Sequence, residues 1–302
     1  VKNLVLWGGV NDGNSLRYIW RAFYLNAHKI GIRAIWADDM PDARQLLVPG
    51  TTVISADIWS EHIGEAMPEV DYVLHNYSSD HPLCQTVEPE RLLRLQVYTS
   101  DARGDEWAPF RLYDRDGRVL YQVWGVDLLP EEFLEPVFNP QSQDAVFVGA
   151  VWSEQYQGTE LGNRDVIEET RLALADHGLK FRVLTQLSDA EMVEAVRSAR
   201  IAPAFAGGWQ VEHDLIPCRT LKAPAYGVLS LTNVPAVQTL FGGWSPTPGS
   251  VAEMIDSALA LRRKEYLGVV REQQRAVAPY SYRESLQAIE RALELGREPA
   301  LV

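Results

Sequence analysis

Short apolar runs alternate with amphipathic stretches along most of the chain. Residues 2–7 read as an apolar strand, followed by a glycine-containing turn over 8–15 and a helix over 15–30 that Gly31 ends. Residues 32–36 form a second strand. Val53-Ile54 and Tyr72-Val73-Leu74 are shorter ones, separated by helix-compatible segments. Strands alternating with helices predict a parallel sheet. The pattern changes near 110. Residues 110–113 and 119–124 are rich in β-formers and flank Asp114-Arg115-Asp116-Gly117, a hairpin signal. Pro130, Pro136 and Pro140 lie among polar residues and make 125–143 the best linker candidate.

A second series then begins. Residues 145–149 are an apolar strand, 150–162 a long polar loop, 163–177 a helix stopped by Gly178, and 180–184 a strand. Ser188 and Glu191 have capping-box spacing and open an amphipathic helix that runs to 199. Residues 201–205 and 228–231 are the next strands, and helices over 250–275 and 281–296 close the chain. The expected fold class is α/β, with two Rossmann-like parallel-sheet domains facing a cleft. They span 1–138 and 139–280, and 281–302 supplies a helix that packs back on the first.

Composition narrows the classes. A length of 302 residues suits two domains of about 150 each. An apolar fraction of 46% with 23% charged residues is that of an ordinary globular protein. No run of about 18 apolar residues predicts a membrane span, leaving at most peripheral association. Residues 1–7 read as a strand rather than an export signal. The only cysteines, Cys84 and Cys218, are far apart, which suits a reducing cytoplasm and no disulfide framework. Neither has ligand-type neighbours at zinc-finger spacing. The net charge of −13 argues against a general nucleic-acid surface and leaves room for a local basic pocket.

Several segments carry candidate chemistry. Gly8, Gly9 and Gly13 do not have GxGxxG spacing, so a tight strand–helix turn lining a cleft is favoured over dinucleotide binding. Asp114 and Asp116 could pair on a divalent ion, but Gly117 and the flanking strands fit an exposed hairpin. His75-Asn76-Tyr77 ends a strand, where open sheets face their ligands. The strongest group is His213-Asp214 with Arg219 and Lys222. If 217–226 is helical, Arg219 and Lys222 share a face and could meet two phosphates, one as a fork and one as a point charge. Gly207-Gly208 precede the group, and Gly227 with an apolar strand follows it. A solvated helix face seldom sits between two apolar strands of a parallel sheet. The segment therefore predicts an anion, a diphosphate, bound at a helix start near strand ends.

These residues carry a resemblance. Trp124-Gly125-Val126-Asp127 with Phe133 and Pro136 comes first, then Phe147-Val148-Gly149 with Asn163-Arg164-Asp165. Arg219 through Lys222 to Gly227 and Thr232-Asn233 follow, and Tyr280-Ser281-Tyr282-Arg283 closes the set. In that order they resemble the donor-nucleotide domain of GT-B glycosyltransferases, nearest the retaining, CgeB-like bacterial branch, over roughly 120–296. The first half matches only in style. The family has two glutamates with seven residues between them; Asp214 and Lys222 stand there, the second with its charge reversed. Ala150 replaces a family arginine, and Arg164 stands in for a nearby lysine.

The resemblance implies metal-independent, retaining transfer of a sugar from a nucleotide diphosphate to an acceptor hydroxyl in a bacterial or phage system. No cofactor is implied beyond that co-substrate. Asp214, Arg219 and Lys222 would be catalytic. Gly149, Arg164, Gly208, His213, Thr232 and Asn233 would bind the donor. Asn11, Asp12, His75, Asn76 and Tyr77 would line the acceptor side, for a glycan or small molecule. An epimerase or hydrolase of the same fold, and a non-catalytic two-domain binding protein, stay open as alternatives.

Overall fold

A computed structural model describes residues 2–11, 15–98, 111–114, 116–156, 158–241 and 249–297. Two compact units emerge. One holds the described residues within 1–97, 102–122 and 282–302, the other those within 98–101 and 123–281. The division falls between Gln122 and Val123, ahead of the expected linker, which lies within the second unit.

The first unit is built on β1 (Asn3–Trp7), α1 (Ser15–Lys29), β2 (Arg33–Ala37), β3 (Thr51–Ala56), β4 (Asp71–His75), α2 (Pro82–Thr86), β5 (Leu92–Gln96), β6 (Arg111–Asp114) and β7 (Val119–Gln122). The strands make one sheet in the order β2-β1-β3-β4-β5-β7-β6, parallel except for the β6–β7 hairpin. Val5 pairs with Ile35 on one side and Val53 on the other. β3 is buried along its whole length and β1 along most of it, as expected of strands covered on both faces. Val5, Trp7, Val53, Tyr72, Leu74 and Leu83 form one apolar cluster.

Two expectations are corrected here. The helix-compatible stretches after β2 and β3 are short 3-10 turns, Pro41–Leu46 and Asp57–Trp59. Each is too short to nucleate a helical hydrogen-bond ladder. β5 was not expected; its pattern is a brief alternation with Arg94 exposed between buried Leu93 and Leu95. The hairpin was expected, and Asp114 closes it by accepting from the amides of Asp116 (3.1 Å) and Gly117 (3.2 Å).

The second unit runs β8 (Asp144–Val148), a small hairpin of β9 (Gln155–Tyr156) and β10 (Thr159–Glu160), α3 (Arg164–Asp176), β11 (Lys180–Leu184), α4 (Asp189–Ser198), β12 (Ala202–Pro203), α5 (Gly208–Glu212), α6 (Cys218–Ala225), β13 (Ser230–Leu231), α7 (Ala236–Leu240), α8 (Val251–Ala260) and α9 (Arg263–Val277). β8 pairs in parallel with β11, and β12 with β13. A parallel bridge from Ala145 to Ile201 links the two pairs. The strands expected over 201–205 and 228–231 thus shrink to two-residue ladders. Gln273 finishes β13: its side chain accepts from Ser230 N (2.9 Å) and donates to Ser230 O (3.1 Å). The core gathers Ala145, Leu174, Phe205, Leu231, Ile255 and Val270.

The single helix expected over 250–275 is two helices. The chain breaks at Leu261-Arg262, where Arg262 N donates to the Glu265 carboxylate (3.1 Å) and opens α9. The chain then returns to the first unit in α10 (Tyr282–Arg297), which packs on α1 with the rings of Phe23 and Tyr282 4.4 Å apart.

Candidate functional site

The carboxyl ends of β8, β12 and β13 in the second unit are organised by backbone contacts. Gly149 follows β8 with φ +151°, and its amide donates to Leu184 O (2.9 Å). The loop leading to α3 is tied twice by Asn163, which accepts from Trp152 N and donates to Ala150 O (both 3.1 Å). Glu160 ties it again, accepting from Ser153 Oγ (2.7 Å), Glu154 N (3.0 Å), Gln155 Nε2 (2.8 Å) and Gly162 N (2.7 Å). Those bonds hold the Glu160 carboxyl down at about 2, the Ser153 hydroxyl contributing most. Gly162 then lies against Gly207: a Cβ on Gly207 would stand 1.9 Å from Gly162 O. Only glycine permits this approach, which sets the start of α3 beside the start of α5.

Arg219 occupies the first turn of α6. Its Nη2 donates to Phe205 O (2.7 Å), just past β12, and its guanidinium carbon lies 4.5 Å from the centroid of the Phe147 ring on β8. A Cβ on Gly149 would be 3.5 Å from Nη1. Nε is shut off from solvent without a hydrogen-bond partner, while the residue as a whole is half-buried. Among the described residues no carboxylate pairs with it. Burial lowers its pKa to about 10, so it is still cationic at neutral pH. A guanidinium held by a carbonyl and a ring keeps donors for an anionic ligand.

Lys222 is different, and the expectation that it offers a second cation is corrected. Its Nζ lies 3.2 Å from Asp127 Oδ2, and the lysine is only 6% exposed. Tyr226 OH donates to the same oxygen (2.5 Å). Burial works to lower the Lys222 pKa, and Asp127 overrides it to leave a net rise. The charge is spent inside the unit. Arg219 and Lys222 are three apart on one helix yet point to different surroundings.

The remaining donor-side residues are placed as follows. Gly208 opens α5 with free space where a Cβ would be. Arg164 begins α3 and is exposed. Asn233 is engaged in the fold: its Oδ1 accepts from Ala206 N and its Nδ2 donates to Ala206 O (both 2.8 Å). Thr232 is buried and its Oγ1 accepts from Val234 N (3.3 Å). His213 stacks at 4.4 Å on Trp209, which has Tyr98 against it at 5.3 Å. Asp214 sits in the turn after α5 with φ +51°, and burial raises its carboxyl pKa despite the lowering influence of His213. Arg219 makes its contacts with Phe205 and Phe147 and not with Asp214.

In the first unit, Gly8 and Gly9 have φ of +92° and +77° and lie against the Trp59 side chain, where a Cβ would come within 2.3 Å of its Cβ and 2.6 Å of its ring. Trp36 Nε1 donates to Gly8 O (2.8 Å) and Trp20 Nε1 to Trp7 O (3.1 Å). The turn is thus packed on and bonded by indoles. Asn11 Nδ2 donates to Asp38 Oδ2 (2.5 Å); Asp12 lies outside the described residues. His75 is buried with Nδ1 3.1 Å from Leu95 O, and burial lowers its pKa. Asn76 is exposed at φ +61°. Tyr77 OH lies 2.8 Å from Ser55 Oγ, and burial raises its pKa. Among the described residues no three His, Cys, Asp or Glu side chains converge as a metal site, and no helix is long and apolar enough to cross a membrane.

No protein-family model matches the sequence, and no curated protein does either. Solved structures do match. An α-glucosyltransferase in complex with UDP and a 13-mer DNA containing a HMU base aligns over 98% of this chain and 99% of its own, with a TM-score of 0.63 and 10% identity. The chain shares its fold with this neighbour. An α-glucosyltransferase with UDP and a 13-mer DNA containing a central A:G mismatch covers 95% and 99% of the two chains, with a TM-score of 0.60 and 10% identity. A third, with UDP, covers 98% and 99%, with a TM-score of 0.59 and 9% identity. This α-glucosyltransferase-like fold is the coarse form of the resemblance read from the sequence; the CgeB-like branch does not figure among these neighbours. Two of the three hold DNA, so the expectation against nucleic acid gains nothing from them.

Within this glucosyltransferase-like fold, sequence reasoning overlooked three partners. Phe147 supplies the ring under Arg219, Gly162 supplies the carbonyl that Gly207 abuts, and Asp127 neutralises Lys222. Asp127 and Phe147 each left a trace, in Trp124-Gly125-Val126-Asp127 and Phe147-Val148-Gly149, and Gly162 left none.

Proposed function

We propose that the protein transfers a glycosyl group from a uridine-diphosphate sugar to an acceptor hydroxyl. The observation that carries this is Arg219, a cation that pairs with no carboxylate among the described residues, held at the strand ends beside Gly149 and Phe205. Its support is the fold, which this chain shares with UDP-bound α-glucosyltransferases.

In such a transfer the leaving diphosphate gains negative charge as the glycosidic bond breaks. A guanidinium fixed before the reaction lowers that barrier without reorganising. Arg219 takes this role, with the exposed Arg164 at the start of α3 as the second cation and the helix start adding partial positive charge. Lys222 acts from within the fold. Asp214, with its raised carboxyl pKa, is the residue assigned to the sugar, and His213 with Trp209 to the nucleoside side. Retention, independence from metal and membership of the CgeB-like branch belong to this same reading. In the first unit, the exposed Asn11 and Asn76 are the foremost acceptor-side candidates, because His75 is turned to a backbone carbonyl and the Tyr77 hydroxyl to Ser55. DNA, which two of the neighbours hold, joins glycans among the acceptors to be tried.

Turnover of UDP-glucose with and without acceptors is the test. Release of UDP that depends on an acceptor, glycan or hydroxymethylated DNA, supports transfer. Equal release without any acceptor turns the assignment to hydrolysis.

A further inference from the structure

α6 is held differently at its two ends. At the last turn, Gln274 Nε2 donates to Pro224 O (3.0 Å), Leu134 N to Ala225 O (2.9 Å), Arg197 Nη1 to Tyr226 O, and Val137 N to Gly227 O (2.9 Å). The first turn, which carries Arg219, rests on Phe205 O and the Phe147 ring. Pro224 is the last residue but one of the helix. Proline has no N–H, so the ladder bond to the carbonyl of Thr220 is missing, and the rung that crosses Pro224 is Tyr226 N to Lys222 O (2.9 Å).

Asp127 doubles that rung through the side chains. One of its oxygens receives Lys222 Nζ at 3.2 Å and Tyr226 OH at 2.5 Å. These two residues are four apart, on one face of the helix and on either side of Pro224. We propose that Asp127 is a positioning residue: it splints α6 across Pro224 and so fixes Arg219 against the strand ends. Its functional consequence rests on the diphosphate role given to Arg219; its structural consequence does not.

The test pairs Asp127→Asn with Lys222→Met in one chain. Both charges go together, so no uncompensated charge is left buried, and such replacements are often neutral for stability. Two readouts are followed beside the melting temperature. One is the exchange rate of the Arg219 Nε–H in selectively 15N-labelled protein, assigned by its loss in Arg219→Lys. The other is the Kd of UDP. The expected result is a wild-type melting temperature, with exchange and Kd each raised about tenfold, or about 1.4 kcal/mol. Wild-type exchange and Kd in the double variant overturn the proposal. If the double variant is destabilised, Tyr226→Phe decides, because it removes one arm of the splint and no charge: faster Nε–H exchange supports the splint and unchanged exchange overturns it. If wild-type protein does not bind UDP, the diphosphate role falls, and the exchange rate still judges the splint.

Discussion

Replacing Gly207 by alanine, with Gly208→Ala as its control, isolates the contact that joins the α3 and α5 starts. At Gly207 the new Cβ would stand 1.9 Å from Gly162 O and 2.7 Å from Gly162 C, both backbone atoms that cannot swing aside. To reach the 3.0 Å that real Cβ atoms respect, the two loops must part by about 1 Å or more. The conformation itself is ordinary, at φ −66°, so the cost is steric. Overpacking of this kind costs about 1–3 kcal/mol. At roughly 2–4 °C per kcal/mol for a domain this size, the melting temperature should fall by about 2–12 °C. One residue on, a Cβ at Gly208 meets nothing within 4 Å and replaces a poor helix former, so Gly208→Ala should be neutral or stabilising by up to about 1 kcal/mol. Calorimetry of both variants, with UDP titrations, checks the pair. A Gly207→Ala protein with the wild-type melting temperature and wild-type UDP affinity would refute the reasoning.

Three further outcomes are expected. Burial lowers the His75 pKa from its ordinary 6.5, so the stability it contributes is fully present above 6.5 and drains away as pH falls through the folded value. Urea unfolding followed downward from pH 7.5 should show this, and His75→Gln should flatten the acid limb; an equally steep limb in the variant contradicts it. Asn233→Ala strips both bonds from Ala206, which is fully buried, and should lower stability by about 2 kcal/mol or more, read from the urea midpoint. Glu160→Gln should leave the melting temperature near wild type yet speed amide exchange at Glu154 and Gly162; unchanged exchange would mean that the carboxylate does not organise the loop.

The alternation of strands and helices was legible because buried parallel strands carry apolar runs, as β1 and β8 do, while in β3 only Val53-Ile54 stood out. What sequence missed depends on distant partners or on length. The 3-10 turns after β2 and β3 carry helix-compatible residues but too few of them. The break between α8 and α9 has no glycine or proline and is made by Arg262 and Glu265. At the site, Arg219 was legible from its setting between apolar strands. The fate of Lys222 was not, because Asp127, its counter-charge, lies 95 residues earlier and only the fold brings it to 3.2 Å. Asn233 was placed correctly after its strand, but nothing local says that its amide is bonded to Ala206 on both sides.

The central claim is that Arg219 holds the diphosphate of a uridine nucleotide. Calorimetric titration of UDP, UMP and uridine, each into wild-type protein and Arg219→Lys, tests it most directly. Charge-assisted forked bonds contribute about 1.5–3 kcal/mol, so wild type should bind UDP about 10- to 100-fold more tightly than uridine. In Arg219→Lys, which keeps the charge and loses the fork, most of that advantage should vanish while uridine binding is unchanged. Equal affinity of wild type for UDP and uridine, or an Arg219→Lys protein that keeps the full UDP advantage, would contradict the account.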